Sequence, residues 1–89
     1  MSGRLSLKID EAFNIIGAGV IGGGLVESGE LVLGAAVIVT RGTQKHTGTV
    51  TQLRRFDMRP ERVRAGLECG VCVSDWKFAP GDIITDVQE

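Results

Sequence analysis

Histidine and cysteine are scarce in this 89-residue chain: His46 is the one histidine, and Cys69 and Cys72 are the only cysteines. A structural zinc site takes about four ligands, so these residues supply half of one, and no metal is expected. Cys-Gly-Val-Cys has the spacing of a redox pair, but such a pair belongs at a helix start beside a parallel sheet. Here it lies in LECGVCVSD, rich in β-branched residues and with no helix pattern after it. Residues three apart on a strand face opposite sides, so two separately placed, reduced thiols are expected. No apolar run approaches the ~18 residues of a membrane span, and the opening MSGRLSLK has no apolar signal core. The expectation is a soluble, cytoplasmic protein (or one of an organelle matrix, in a eukaryote) with no membrane partner. Repeats, low-complexity tracts and linkers are missing too, and 89 residues support one domain over residues 1–89.

Glycine is plentiful. Thirteen glycines are about twice the usual share of ~7%, which predicts many turns and bends. Charge is unevenly spread. Residues 41–64 hold seven basic side chains against two acids, while the rest of the chain holds three basic and nine acidic ones. The basic segment suggests a face that meets phosphates.

The stretch Ile16–Gly22, IGAGVIG, fits the dinucleotide fingerprint G-x-G-x-x-G at Gly17, Gly19 and Gly22, with Arg41 placed where a 2′-phosphate partner would stand. The crossover helix would then be GGLVESGELVL, carrying Gly23, Gly24 and Gly29, each worth about 1 kcal/mol against a helix interior. It has almost no polar face, and no second strand–helix unit follows. The fingerprint alone is weak, and the oxidoreductase-fragment reading is rejected. Glycines at strand bends and barrel corners explain the pattern better.

Alternation of period two supports that view. Leu5, Leu7 and Ile9 alternate with polar residues, and Phe13, Ile15 and Gly17 continue the pattern past a bend at Glu11-Ala12. Residues 35–41, 45–55, 70–75 and 82–88 read as further strands, with RGTQK a hairpin connection, Glu27–Glu30 a hairpin tip and Pro80-Gly81 a turn. Only MRPERVRAG (58–66) has a helical pattern, and Pro60 limits it to about a turn. Trp76 is expected to plug a barrel end and His46 to sit on a strand surface. The fold class is all-β: an antiparallel closed barrel of about six or seven strands.

The residues Leu53-Arg54-Arg55-Phe56, Val63, Gly66-Leu67, Glu68-Cys69-Gly70 and Gly81-Asp82-Ile83-Ile84 resemble the last domain of bacterial and organellar translation initiation factor 2. That domain is a barrel related to the second domain of elongation factor Tu. Phe13, Gly19, Ile21, Gly23, Val26 and Gly29 fit the same family's upstream pattern, as do Ala35, Val37 and Arg41, so the resemblance covers nearly the whole chain. It implies a non-enzymatic, monomeric module with no catalytic residue, cofactor or metal. Its implied partners are the ribosome and initiator tRNA, whose formyl-methionyl 3′ end would be held by Arg55, Phe56, Glu68, Cys69 and Gly70. The chain departs from the family at Gly24, where a cysteine is common, at Asp57, where a lysine is common, and at Met58-Arg59, where acids are usual. A barrel that docks on ribosome or factor surfaces without tRNA is the rival expectation. Residue type alone favours plainer roles: Phe56 in the core, Cys69 as a small buried hydrophobe, and Glu68 paired with an arginine.

Overall fold

The computed structural model describes residues 4–15 and 19–87. Its strands are β1 (Ser6–Ile15), β2 (Gly19–Ser28), β3 (Glu30–Val32), β4 (Ala36–Arg41), β5 (Gln44–Arg54), β6 (Arg62–Arg64), β7 (Glu68–Val73) and β8 (Ile83–Asp86). No helix occurs among the described residues, so none is long and apolar enough to cross a membrane. Six strands close a barrel in the order β1-β2-β7-β5-β4-β8, with every neighbouring pair antiparallel and Ser6 opposite Thr85 at the seam. The expected all-β closed barrel is the fold, at the six-strand end of the expected range. Gly19 and Gly22 of the fingerprint lie in β2, and Gly17 lies outside the described residues.

The core is aliphatic, because every second residue of a strand points inward. Leu5, Leu7, Ile9, Val37, Val39, Val71, Val73 and Ile84 are all at most 5% exposed. The aromatic that enters this core is Phe78, at 4% exposure. Trp76, expected to plug a barrel end, is half-buried and packs against the core.

Two expectations are corrected. The 58–66 segment forms no helical turn: Arg62, Val63 and Arg64 make β6, which pairs with β3 in a separate two-stranded ribbon. Val63 is fully buried between two exposed arginines, and that burial overrides the helical pattern of the sequence. Glu27–Glu30 is a corner rather than a hairpin tip. Ser28 still pairs with Ser6, whereas Glu30 pairs with Arg64, so the chain leaves the barrel for the ribbon at Gly29. Gly29 has φ 71, and an added Cβ would lie 2.5 Å from the Leu5 nitrogen, so no other residue fits that corner.

A polar latch holds the β7–β8 connection against the barrel. Asp82 is 1% exposed; it accepts from Arg41 Nε and Nη2 (both 2.7 Å), the Ala79 N–H (2.9 Å) and Trp76 Nε1 (3.1 Å). The Arg41 guanidinium lies 4.6 Å from the Trp76 ring centroid, and His46 stacks on the same tryptophan at 5.0 Å. Burial pushes the Asp82 carboxyl pKa up, but the hydrogen bonds from Arg41, Ala79 and Trp76 outweigh it, and the net shift is downward. A carboxyl with a lowered folded pKa stabilises fully above its unfolded value, about 3.9, and loses that contribution as pH falls through the folded one. Thermal melts between about pH 6 and pH 2 are therefore expected to show a steeper loss of Tm in the native chain than in Asp82→Asn, which lacks the titrating group.

Candidate functional site

One break in the alternation of β1 shapes the surface. Ile9 lies opposite Gly24 and Glu11 opposite Gly23, so Asp10 is an extra residue, a β-bulge. A one-residue slip turns every later side chain to the other face. Phe13, expected to continue the inward series, is 50% exposed, while Ala12 packs on the core.

The outward turn of Phe13 makes one wall of a groove of about 460 Å³. Its floor is β2 beside β7, where Gly24 pairs with Cys69 and Gly23 with Gly70. The opposite wall comes from the end of β5 and the turn after it. Arg55 and Met58 exchange two backbone hydrogen bonds, Arg55 N–H to Met58 O at 3.0 Å and Met58 N–H to Arg55 O at 2.8 Å. Phe56 sits within this tight turn at φ 55, a left-handed conformation uncommon for a bulky residue, and its ring is 91% exposed. The plain reading of Phe56 as core is therefore wrong: the backbone holds its ring out in solvent.

All five residues singled out in the sequence, Arg55, Phe56, Glu68, Cys69 and Gly70, line this groove. Arg55 Nε donates to the backbone carbonyl of Glu68 at 2.8 Å, and its guanidinium carbon lies 5.4 Å from the Phe56 ring centroid. The expected pairing of Glu68 with an arginine thus uses its carbonyl, which leaves the carboxylate at the exposed surface. Cys69 is 7% exposed; burial raises its thiol pKa to about 11, against the opposing pull of Arg55. It is a protonated, apolar patch of floor and a poor nucleophile at neutral pH. Cys69 and Cys72 are both reduced, and no group of three or more metal-ligating side chains occurs among the described residues. Asp10, Glu11, Phe13, Ile15 and Ile21 also line the groove. The sequence pattern places Phe13 and Ile15 on the wrong face, and the bulge at Asp10 is the reason.

The groove is bipolar. Asp10 and Glu11 stand with Phe13 on the β1 side and Arg54 and Arg55 with Phe56 on the β5 side, with Ile21 and Cys69 of the floor between them. Such a surface takes a ligand with an apolar or neutral end and an anionic or planar group beside it.

Gly24 has a local reason of its own. A Cβ there would run into the Lys8 carbonyl oxygen and approach Leu7 Cδ2 to 3.3 Å. Gly24→Cys, which restores the residue common in the resembled family, is expected to destabilise the barrel by about 1–3 kcal/mol, as overpacking does. Thermal denaturation of the variant checks this; an unchanged Tm would show that the β1 bulge yields easily.

No protein-family profile matches the chain. It is similar to translation initiation factor IF-2 of Alkaliphilus metalliredigens, 33% identical over 79 residues, which cover 86% of this chain and 11% of that factor. With IF-2 of Helicobacter pylori it shares 32% over 84 residues, covering 92% of this chain and 9% of the factor. With IF-2 of a Cyanothece strain it shares 36% over 75 residues, covering 82% and 8%. The chain thus spans about a tenth of the length of these relatives. Agreement along nearly all of the sequence, carried by a closed antiparallel barrel, places this chain in the translation initiation factor IF-2 family as a small β-barrel domain.

Proposed function

We propose that the groove binds the acylated 3′ end of initiator tRNA, with the formyl-methionyl group on the apolar floor and the terminal adenosine against Arg55 and Phe56. The observation that carries this reading is the exposed, strained Phe56 facing Phe13 across a floor of Cys69 and Gly70. A methionine side chain is apolar and flexible, and sulfur packs well against aromatic edges. The guanidinium of Arg55 offers a plane for the adenine or a fork for its phosphate. Glu68, with its carboxylate at the surface, accepts from a ribose hydroxyl.

Selectivity for the formylated end follows from a balance of magnitudes. Asp10 and Glu11 attract a free ammonium, but exposed pairs contribute only about 0–1 kcal/mol. Moving an unpaired charge onto the apolar floor costs more than that, and formylation removes the charge. Nothing in this reading requires the domain to catalyse a reaction: it binds and presents an acylated RNA end during translation initiation, with the ribosome as its working surface.

The test is calorimetric titration of the chain with formyl-methionyl, methionyl and uncharged 3′-terminal fragments of initiator tRNA. The expected order of affinity is formyl-methionyl, then methionyl, then uncharged. Arg55→Ala is expected to weaken binding of all three about tenfold with little change in Tm, since its loss removes one charge-assisted contact. Equal, negligible heats for all three fragments would favour the rival, a barrel that docks on protein surfaces.

A further inference from the structure

A second cluster lies beside the groove, outside the proposed contacts to the acylated end. Gln52 and Arg54 flank the buried Leu53 and share the outer face of β5. Arg59, from the β5–β6 connection, reaches back to the same spot. With the Gln52 amide turned so that its oxygen faces them, that oxygen accepts from Arg54 Nε and Nη2, both at 3.2 Å, and from Arg59 Nη1 at 3.3 Å.

Two guanidinium groups thus converge on one neutral oxygen. Among the described residues, the ion pairs are Arg41 with Asp82 and Arg62 and Arg64 with Glu30; Arg54 and Arg59 have no carboxylate within 4.0 Å. Asp57, two residues before Arg59, does not reach it. An amide oxygen carries only a partial charge, so the repulsion between the two cations is left largely uncompensated. A tetrahedral anion with several acceptor oxygens would satisfy both forks at once, as arginine pairs do for phosphate.

We propose that Gln52, Arg54 and Arg59 form a phosphate clamp that holds an internal phosphodiester of the RNA strand whose 3′ end enters the groove. Arg54 lines the groove as well, so clamp and groove are continuous, and a strand leaving past Arg55 meets the clamp next. Arg59 stands at one of the positions where this chain departs from the pattern of the family it resembles. The clamp rests on the reading of the groove as an RNA-end site, and its test separates the two.

Three probes are used: an acylated adenosine, which has no internal phosphate, a short single-stranded RNA bearing the same acylated adenosine at its 3′ end, and inorganic phosphate. Each is titrated into the native chain and into Arg59→Ala over a range of salt concentrations, with Tm recorded for both proteins. In Arg59→Ala the RNA is expected to bind several-fold more weakly, with a salt slope lower by about 0.7, the value for one phosphate on a single strand. Acylated adenosine is expected to bind both proteins equally, and inorganic phosphate to show no Arg59-dependent binding. An unchanged salt slope, or equal losses with the two acylated probes, overturns the clamp. Inorganic phosphate alone reproducing the Arg59-dependent share would also overturn it, by making the site a receptor for the free ion. Arg59-dependent RNA binding without any binding of acylated adenosine would leave the clamp standing and remove the groove reading. Failure of the native chain to bind either acylated probe removes both.

Discussion

Asp82→Ala is expected to lower the stability of the barrel by about 3 kcal/mol, a large share of what holds a small domain folded. The carboxylate is 1% exposed and is met by four donor contacts, two of them charge-assisted bonds from Arg41 at 2.7 Å. Removing it strands the Ala79 N–H and the Trp76 indole N–H and takes the carboxylate from the guanidinium, which keeps only the bond from Nη2 to the Lys77 carbonyl at 2.9 Å. Arg41 is 42% exposed and recovers water, which keeps the loss at the lower end for breaking a buried pair. The same segment closes the barrel: Ile9 N–H donates to the Asp82 carbonyl at 2.8 Å and Gly81 N–H to Ile9 O at 2.7 Å. Loosening it therefore opens the β1–β8 seam as well. For a domain of this size the loss corresponds to a Tm lower by about 12–24 °C. Trp76 is the one tryptophan of the chain, so its fluorescence reports the latch directly. A Tm drop of only a degree or two would show that the latch contributes little to folding.

Phe56→Asn is expected to act in the opposite sense on stability while weakening binding in the groove at least tenfold. A bulky residue at φ 55 carries about 1–2 kcal/mol of backbone strain, and asparagine tolerates that conformation. The ring is 91% exposed, so its removal opens no cavity. A gain of about 1 kcal/mol in denaturant unfolding follows, together with at least a tenfold loss of affinity for an acylated RNA end, because one of the two aromatic walls is gone. A residue placed only for folding cannot give that combination. Destabilisation by Phe56→Asn with binding intact would assign the turn to architecture.

The barrel is legible in the sequence because its signals are local. Gly42 and Thr43 between alternating runs mark the β4–β5 hairpin, and Arg41 does lie opposite Gln44 across it. The bulge at Asp10 is legible only as a bend at Glu11-Ala12: nothing in SLKIDEAFNI marks one residue as extra or turns Phe13 outward, since that shift exists only in the pairing with Gly23 and Gly24. Three residues just after Pro60-Glu61 are too few for β6 to show a period, and Val63 is drawn into a strand by Leu31 across the ribbon. The latch is equally hidden, because Arg41 and Asp82 are 41 positions apart and meet only when the barrel closes.

Only the family resemblance points to the groove. By residue type Phe56 and Cys69 belong to a core, and Cys69 is indeed buried. What separates them is backbone conformation, a positive φ at Phe56 against extended strand at Cys69, and no periodicity encodes that. Phe13 fits the family pattern, yet its outward turn depends on the bulge.

Chemical-shift mapping of the isotopically labelled chain with formyl-methionyl adenosine tests the proposed groove most directly. Binding there perturbs the amides of Gly23, Gly24, Arg55, Phe56, Cys69 and Gly70 together and leaves the Trp76 and Arg41 signals of the latch silent. Perturbations scattered over β3, β4 and β6 instead, or none at millimolar ligand, would contradict it.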